Sequence, residues 1–146
     1  AAANVTLLLI FVIGGQLCGG WVGDRIDKRL IIVLCMWMHA AALILFAHAD
    51  SRFDTAVFAA VHGTAWGIRG TLINAIRADY FGRASYATIS GFASLIIMVG
   101  MTTGPLLAGF LHDLTGNYRQ AFMILAGLSA LGSVALMLAC KPAKPQ

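Results

Sequence analysis

Charge is what this sequence lacks. Of its 146 residues, 11% are charged and 60% are hydrophobic. A soluble domain of similar size carries roughly a quarter charged residues to cover its surface. This chain cannot cover itself in water and must sit in lipid. Three cysteines, Cys18, Cys35 and Cys140, form no CxxC pair and have no metal-ligand spacing. They read as small apolar packing residues, and no metal site is expected. There is no phosphate loop, no Ser/His/Asp grouping and no acidic pair, so nothing points to an enzyme, a bound cofactor or a nucleic-acid partner. The stretch Gly63-Thr64-Ala65-Trp66-Gly67 reads as part of a membrane helix, not as a nucleotide loop. The N-terminus lacks an initiator Met and the charged region and cleavage site of a signal peptide. The expectation is a piece of a longer protein whose upstream part is missing.

Long apolar runs are abundant. A membrane helix needs about 20 mostly apolar residues, and five stretches qualify: 5–22, 30–49, 55–76, 86–110 and 121–139. The runs are too long for strands and do not alternate, which predicts an all-α, polytopic membrane protein. Short links make successive helices antiparallel. Arg25, Lys28, Arg29, Arg77, Arg83, Lys141 and Lys144 then fall on one side, and only Arg52 and Arg119 on the other. By the positive-inside rule the first side is cytoplasmic, the first span runs inward and the chain ends inside. Short loops and a compact tail suggest a bacterial inner membrane.

Between the first two runs lies the densest charge in the chain, Gly20-Trp21-Val22-Gly23-Asp24-Arg25-Ile26-Asp27-Lys28-Arg29. It resembles the loop signature of the major facilitator superfamily of membrane transporters, Gly-x-x-x-Asp-Arg-x-Gly-x-Arg. Gly20, Asp24, Arg25 and Arg29 fall on the pattern, and Asp27 stands where the family usually has glycine. In the fourth run, Gly91, Gly100, Gly104, Pro105 and Gly109 are similar to the family's glycine-proline motif, with Ala108 replacing one glycine. Small residues at four-residue spacing let helices approach closely in lipid. Pro105 removes a backbone hydrogen bond and permits a bend. These five residues are candidates for helix packing and gating.

The order of motifs and spans occurs in both halves of a twelve-helix facilitator, because the halves are repeats. Asp79-Tyr80-Phe81-Gly82-Arg83 and the segment from Gly109 to Tyr118 are similar to segments around the eleventh helix of bacterial carboxylate-type facilitators. The resemblance implies that residues 1–146 form helices eight to twelve of a partial facilitator domain, helices two to six being the other assignment. It implies alternating-access transport, with the lipid bilayer, a missing N-terminal half and a small-molecule substrate as partners. It also implies that Asp24 and Arg77, with Gly20, Arg25 and Arg29, form a charge latch at the cytoplasmic face.

Arg69 is the most informative single residue. A mid-span arginine costs at least about 2.5–3.5 kcal/mol, and no Asp or Glu lies within any span to offset it. Its planar fork suits a carboxylate. His62, Trp66, Arg69 and Ile73 share one helical stripe. This predicts a cavity face for a small organic anion such as a monocarboxylate, with Arg69, His62 and Trp66 in contact. A structural arginine and ordinary aromatic packing are the bland alternatives. His39, mid-span on its own helix, reads either as satisfied by a backbone carbonyl or as a proton relay. No coupling ion can be read, since the spans hold no carboxylate. A non-transporting sensor or assembly protein on the same scaffold, or an uncoupled facilitator, are the rival functions.

Overall fold

The computed structural model describes residues 2–138. Cys140, Lys141 and Lys144 lie outside the described residues, as does the side chain of Arg83. The structure is all-α, in the order α1 Ala2–Gly23, α2 Lys28–Ala47, α3 Arg52–Thr115 and α4 Arg119–Leu138. The starts of α2 and α3 have local causes. Asp27 is the N-cap of α2, its carboxylate accepting from the Arg29 amide at 2.7 Å. Ser51 caps α3 in a reciprocal box with Asp54: the Asp54 amide donates to the Ser51 hydroxyl at 3.1 Å, and the Asp54 carboxylate accepts from the Ser51 amide at 2.9 Å. At the other end of α3, Gly116 takes φ 74° and its amide donates to the His112 carbonyl at 2.7 Å.

The 64 residues of α3 would make a straight rod of about 96 Å, some three times the hydrocarbon core. The helix does not run straight. Gly82 adopts φ 67° and ψ 179°, a region that only glycine enters without strain. Both ends of α3 lie at the same end of the bundle. Arg52 follows α2 closely, while Arg119, just beyond Thr115, touches the His48 ring at the C-terminus of α2. The chain therefore folds back at Gly82 into a first limb, 52–81, and a second limb, 83–115, giving five helices. Within α3 only Gly82 leaves helical geometry, and the backbone remains helical through Pro105.

Four helical segments are long and apolar enough to cross a membrane: Ala3–Gly23, Lys28–Ala47, Ser85–Thr115 and Arg119–Leu138. The first limb of α3 is not among them, because His62, Arg69 and its many Gly and Thr residues lower its hydropathy. It sits instead between α1 and α2, where Ala59, Ala65 and Leu72 are buried. A helix sheltered by others needs less apolar surface than one facing lipid.

The first limb meets α1 through two matched pairs of glycines, Gly15 and Gly19 on α1 and Gly63 and Gly67 on α3. A Cβ at Gly15 would lie 2.5 Å from the Thr64 carbonyl oxygen, one at Gly19 2.9 Å from Ile68 Cα, and one at Gly63 2.7 Å from the Leu8 carbonyl oxygen. A Cβ at Gly67 would collide with the Val12 carbonyl oxygen. Here backbone touches backbone, the small-xxx-small packing that drives helix association in lipid. On its α2 side the limb closes an apolar core of Ile31, Ile32, Cys35, Ala65 and Leu72, with Ile68, Ile76 and Leu136 packed against it. The second limb stands apart, and no residue of its most apolar window is buried.

Candidate functional site

α2, the first limb of α3 and α4 enclose a cleft of about 320 Å³, lined by Met36, His39, Leu43, His62, Trp66, Arg69, Leu125 and Ser129. That volume is at the lower end of small-molecule sites. The stripe on α3 supplies His62, Trp66 and Arg69 because residues four and three apart share a face. The Arg69 guanidinium carbon stands 5.4 Å from the Trp66 ring centroid, within cation–π range. Trp66, also in the lining, remains 45% exposed.

α2 brings His39 to the same place. Its Nδ1 is 3.2 Å from His62 Nδ1, and the rings are 4.5 Å apart at their centroids. His39 is only 6% exposed. Two of the buried side-chain nitrogens without a hydrogen-bond partner among the described residues are His39 Nε2 and Arg69 Nε. Both belong to the cleft lining. Among the described residues Arg69 makes no ion pair. An unmet guanidinium N–H and an unmet imidazole nitrogen around one cleft suit an oxygen-rich anion better than any apolar solute. Beyond His62 an aromatic ladder continues toward the His48 end of the bundle: Phe58 stacks on His62 at 5.0 Å, Phe46 on Phe58 at 4.4 Å, and Phe122 meets Phe46 edge-on at 5.0 Å.

The residues of the expected latch lie at the opposite end, and the structure does not join Asp24 to Arg77. Arg77 Nη1 is 3.4 Å from Asn74 Oδ1. An ion pair across this end joins Lys28 to Asp79 at 2.6 Å and ties the first turn of α2 to the foot of the first limb. Arg25 lies over the Trp21 ring at 4.0 Å and donates to the Trp21 carbonyl. Arg29 donates to the carbonyls of Leu136 and Met137 at 2.9 and 3.1 Å, placing a cation at the negative end of α4. Nothing lies within 4 Å of a Cβ built at Gly20. The same holds at Gly91, Gly100, Gly104 and Gly109, so among the described residues those four glycines meet no neighbouring helix. Asp27, the departure from the loop signature, has φ −54°. That angle needs no glycine, and the aspartate gains a capping role there.

Three features escaped sequence reasoning. The pairing of His39 with His62 depends on how α2 and α3 are aligned, which no single helix reports. Lys28–Asp79 joins residues 51 apart. The glycine pairs 15/19 and 63/67 each carry a readable Gly-x-x-x-Gly spacing, a signal that was available.

The family profile described as Major Facilitator Superfamily matches residues 1–146. The chain belongs to the Major Facilitator Superfamily. This facilitator chain is thus part of a multi-pass integral membrane protein. It is 26% identical over 139 residues to Monocarboxylate transporter 13 of Rattus norvegicus, covering 94% of this chain and 32% of that protein. Hexuronate transporter of Bacillus subtilis (strain 168) is 25% identical over 153 residues, covering 95% of this chain and 36% of its own length. Monocarboxylate transporter 12 of Rattus norvegicus is 30% identical over 149 residues, covering 99% and 30% respectively. The facilitator chain spans about a third of the length of these curated relatives. No solved structure matches it significantly.

Proposed function

We propose that this facilitator chain supplies the anion-binding half-site of a secondary transporter for small organic carboxylates. The observation that carries the proposal is Arg69, whose Nε is buried without a partner among the described residues, in a cleft whose lining contains no carboxylate. Such a group is stable only if water or a ligand satisfies it, and guanidinium geometry matches a carboxylate. The relatives named for monocarboxylates and hexuronates support the same class, since both solutes carry a carboxylate. His62 and the half-exposed Trp66 complete the face.

In this reading residues 1–146 are helices eight to twelve of the twelve-helix fold, in a bacterial inner membrane. An N-terminal six-helix half closes the cleft and packs against the open glycines at 91, 100, 104 and 109. The Asp24 end, with Arg25, Lys28, Arg29 and Arg77, faces the cytoplasm. There Asp24 and Arg77 pair in one conformation of the transport cycle. In the conformation described, Lys28 and Asp79 hold that end. A contact made in one state and broken in another biases a two-state equilibrium, as alternating access requires.

The test is uptake of labelled carboxylates, sugars and cations by cells expressing the full-length gene, with Arg69 intact and as Arg69→Gln. Accumulation of a carboxylate that Arg69→Gln abolishes, with membrane levels unchanged, supports the proposal. Carboxylate uptake that survives the substitution, or uptake confined to a sugar or a cation, overturns it.

A further inference from the structure

The cleft holds a second feature, the contact between its two histidines. His39 and His62 face each other through like nitrogens, Nδ1 to Nδ1, at 3.2 Å. A contact between two ring nitrogens requires one to donate and the other to accept. One ring therefore carries its proton on Nδ1 and the other on Nε2. The Nε2 of the donating ring is bare and can take a further proton, giving an imidazolium that still donates to its neighbour. A second added proton would leave two donors face to face, so the pair accepts one and no more. His39 Nε2 is buried within the cleft lining and has no hydrogen-bond partner among the described residues. It is either the bare nitrogen, which takes a proton, or an unmet N–H, which an acceptor such as a carboxylate oxygen satisfies.

The charged and titratable groups around the pair are few. Arg69 lies on the same limb of α3 as His62, and Cys35 is one turn before His39 on α2. α4 contributes Leu125 and Ser129 to the lining, and α1 contributes nothing titratable to it. With the cleft empty, a proton on the pair would sit beside the Arg69 cation with no anion near. A carboxylate seated on Arg69 supplies that anion, and Coulomb attraction across a few ångströms of poorly screened space is large. Proton and carboxylate each make the other's binding more favourable, and such linkage is reciprocal.

We propose that His39 and His62 form a shared proton site that takes up one proton together with the organic anion held at Arg69. The inference rests on the reading of Arg69 as the anion site. It supplies a coupling ion where the spans contain no carboxylate to bind one.

The experiment uses the full-length protein in nanodiscs, with lactate and glucuronate as probes. Binding is measured from roughly pH 5.5 to 8, the range in which imidazoles titrate. In the wild type, affinity rises as pH falls, by up to roughly tenfold per unit, the slope for uptake of one proton. His39→Gln, His62→Gln and the double variant flatten that dependence, whatever their absolute affinity. Binding by the wild type that is flat with pH refutes the proton site and leaves the anion site standing. Binding of neither probe refutes the carboxylate reading and the linkage with it. A titration of the wild type with saturating lactate, followed by histidine ¹⁵N NMR, removes dependence on the variants' folding. Two rings that share one added proton support the pair, whereas two that each take up a proton independently, or that take up none, overturn it.

Discussion

Gly67→Ala tests the packing on which the cleft is built. Alanine is the better helix former by about 1 kcal/mol, so in open space the substitution would stabilise α3. At Gly67 the space is closed. The new Cβ would collide with the Val12 carbonyl oxygen and would lie 2.8 Å from Gln16 N and 3.0 Å from Gly15 C. All three atoms are backbone, and none can rotate away as a side-chain tip can. α1 and the first limb must separate, which also loosens the contacts at Gly15, Gly19 and Gly63. Overpacking of this kind costs about 1–3 kcal/mol, and separation adds lost contacts, so the net effect is destabilisation by about 1–2 kcal/mol. That is roughly a tenfold fall in the folded-to-unfolded ratio. The control is Gly14→Ala, on the same face-crossing turn of α1 but with nothing within 4 Å of its Cβ. Unfolding of the full-length protein, titrated with SDS in mixed micelles and followed by circular dichroism, reads both. Gly67→Ala as stable as Gly14→Ala, or more so, would refute the backbone-to-backbone contact.

Three further outcomes follow from the same geometry. Gly82→Ala forces a side chain into φ 67°, ψ 179° and should destabilise the fold by about 1–3 kcal/mol; a variant whose SDS midpoint is unchanged would mean that the chain does not turn there. Lys28 and Asp79 form a partly exposed pair, with side chains 29% and 52% accessible, so a double-mutant cycle should give a coupling on the order of 0.5 kcal/mol that shrinks in high salt. A coupling above about 2 kcal/mol would contradict this exposed geometry. At the head of α3, the Ser51 hydroxyl and then its amide hold the Asp54 carboxyl below its ordinary value. A lowered folded value means that the capping contribution is complete above the unfolded carboxylate range, about pH 4, and is lost as pH falls through the folded value. The protection factors of the Ser51 and Asp54 amides, corrected for intrinsic exchange, should therefore be unchanged from neutral pH to about 5 and fall only in stronger acid; loss already near pH 6 would point to another group.

Much of the architecture was legible from run length and charge placement, because lipid demands long apolar helices and tolerates charge chiefly at their ends. Arg69 stood out for the same reason, and its stripe with His62 and Trp66 could be read because all three share one helix. The rest depends on contacts between helices. His39 reads as a solitary mid-span histidine until α2 is laid against α3. Asp24 and Arg77 share an end of the bundle but do not meet, while Lys28 and Asp79 do. The glycine-proline stretch drew the expectation of close packing, yet within this chain the tight approach is at Gly15, Gly19, Gly63 and Gly67. The least apolar of the five expected spans became a helix enclosed between α1 and α2, since burial among neighbours removes the need to face lipid. The turn at Gly82 rests on one residue, too little to stand out in a sequence with 16 glycines.

The central claim is that Arg69 is held for a ligand and not for a protein carboxylate. An experimental structure of the full-length transporter, solved with lactate or glucuronate, measures this directly. The account predicts the ligand carboxylate within hydrogen-bond distance of the Arg69 guanidinium, between Trp66 and His39. An Asp or Glu from another helix paired with Arg69, with the ligand elsewhere, would contradict it.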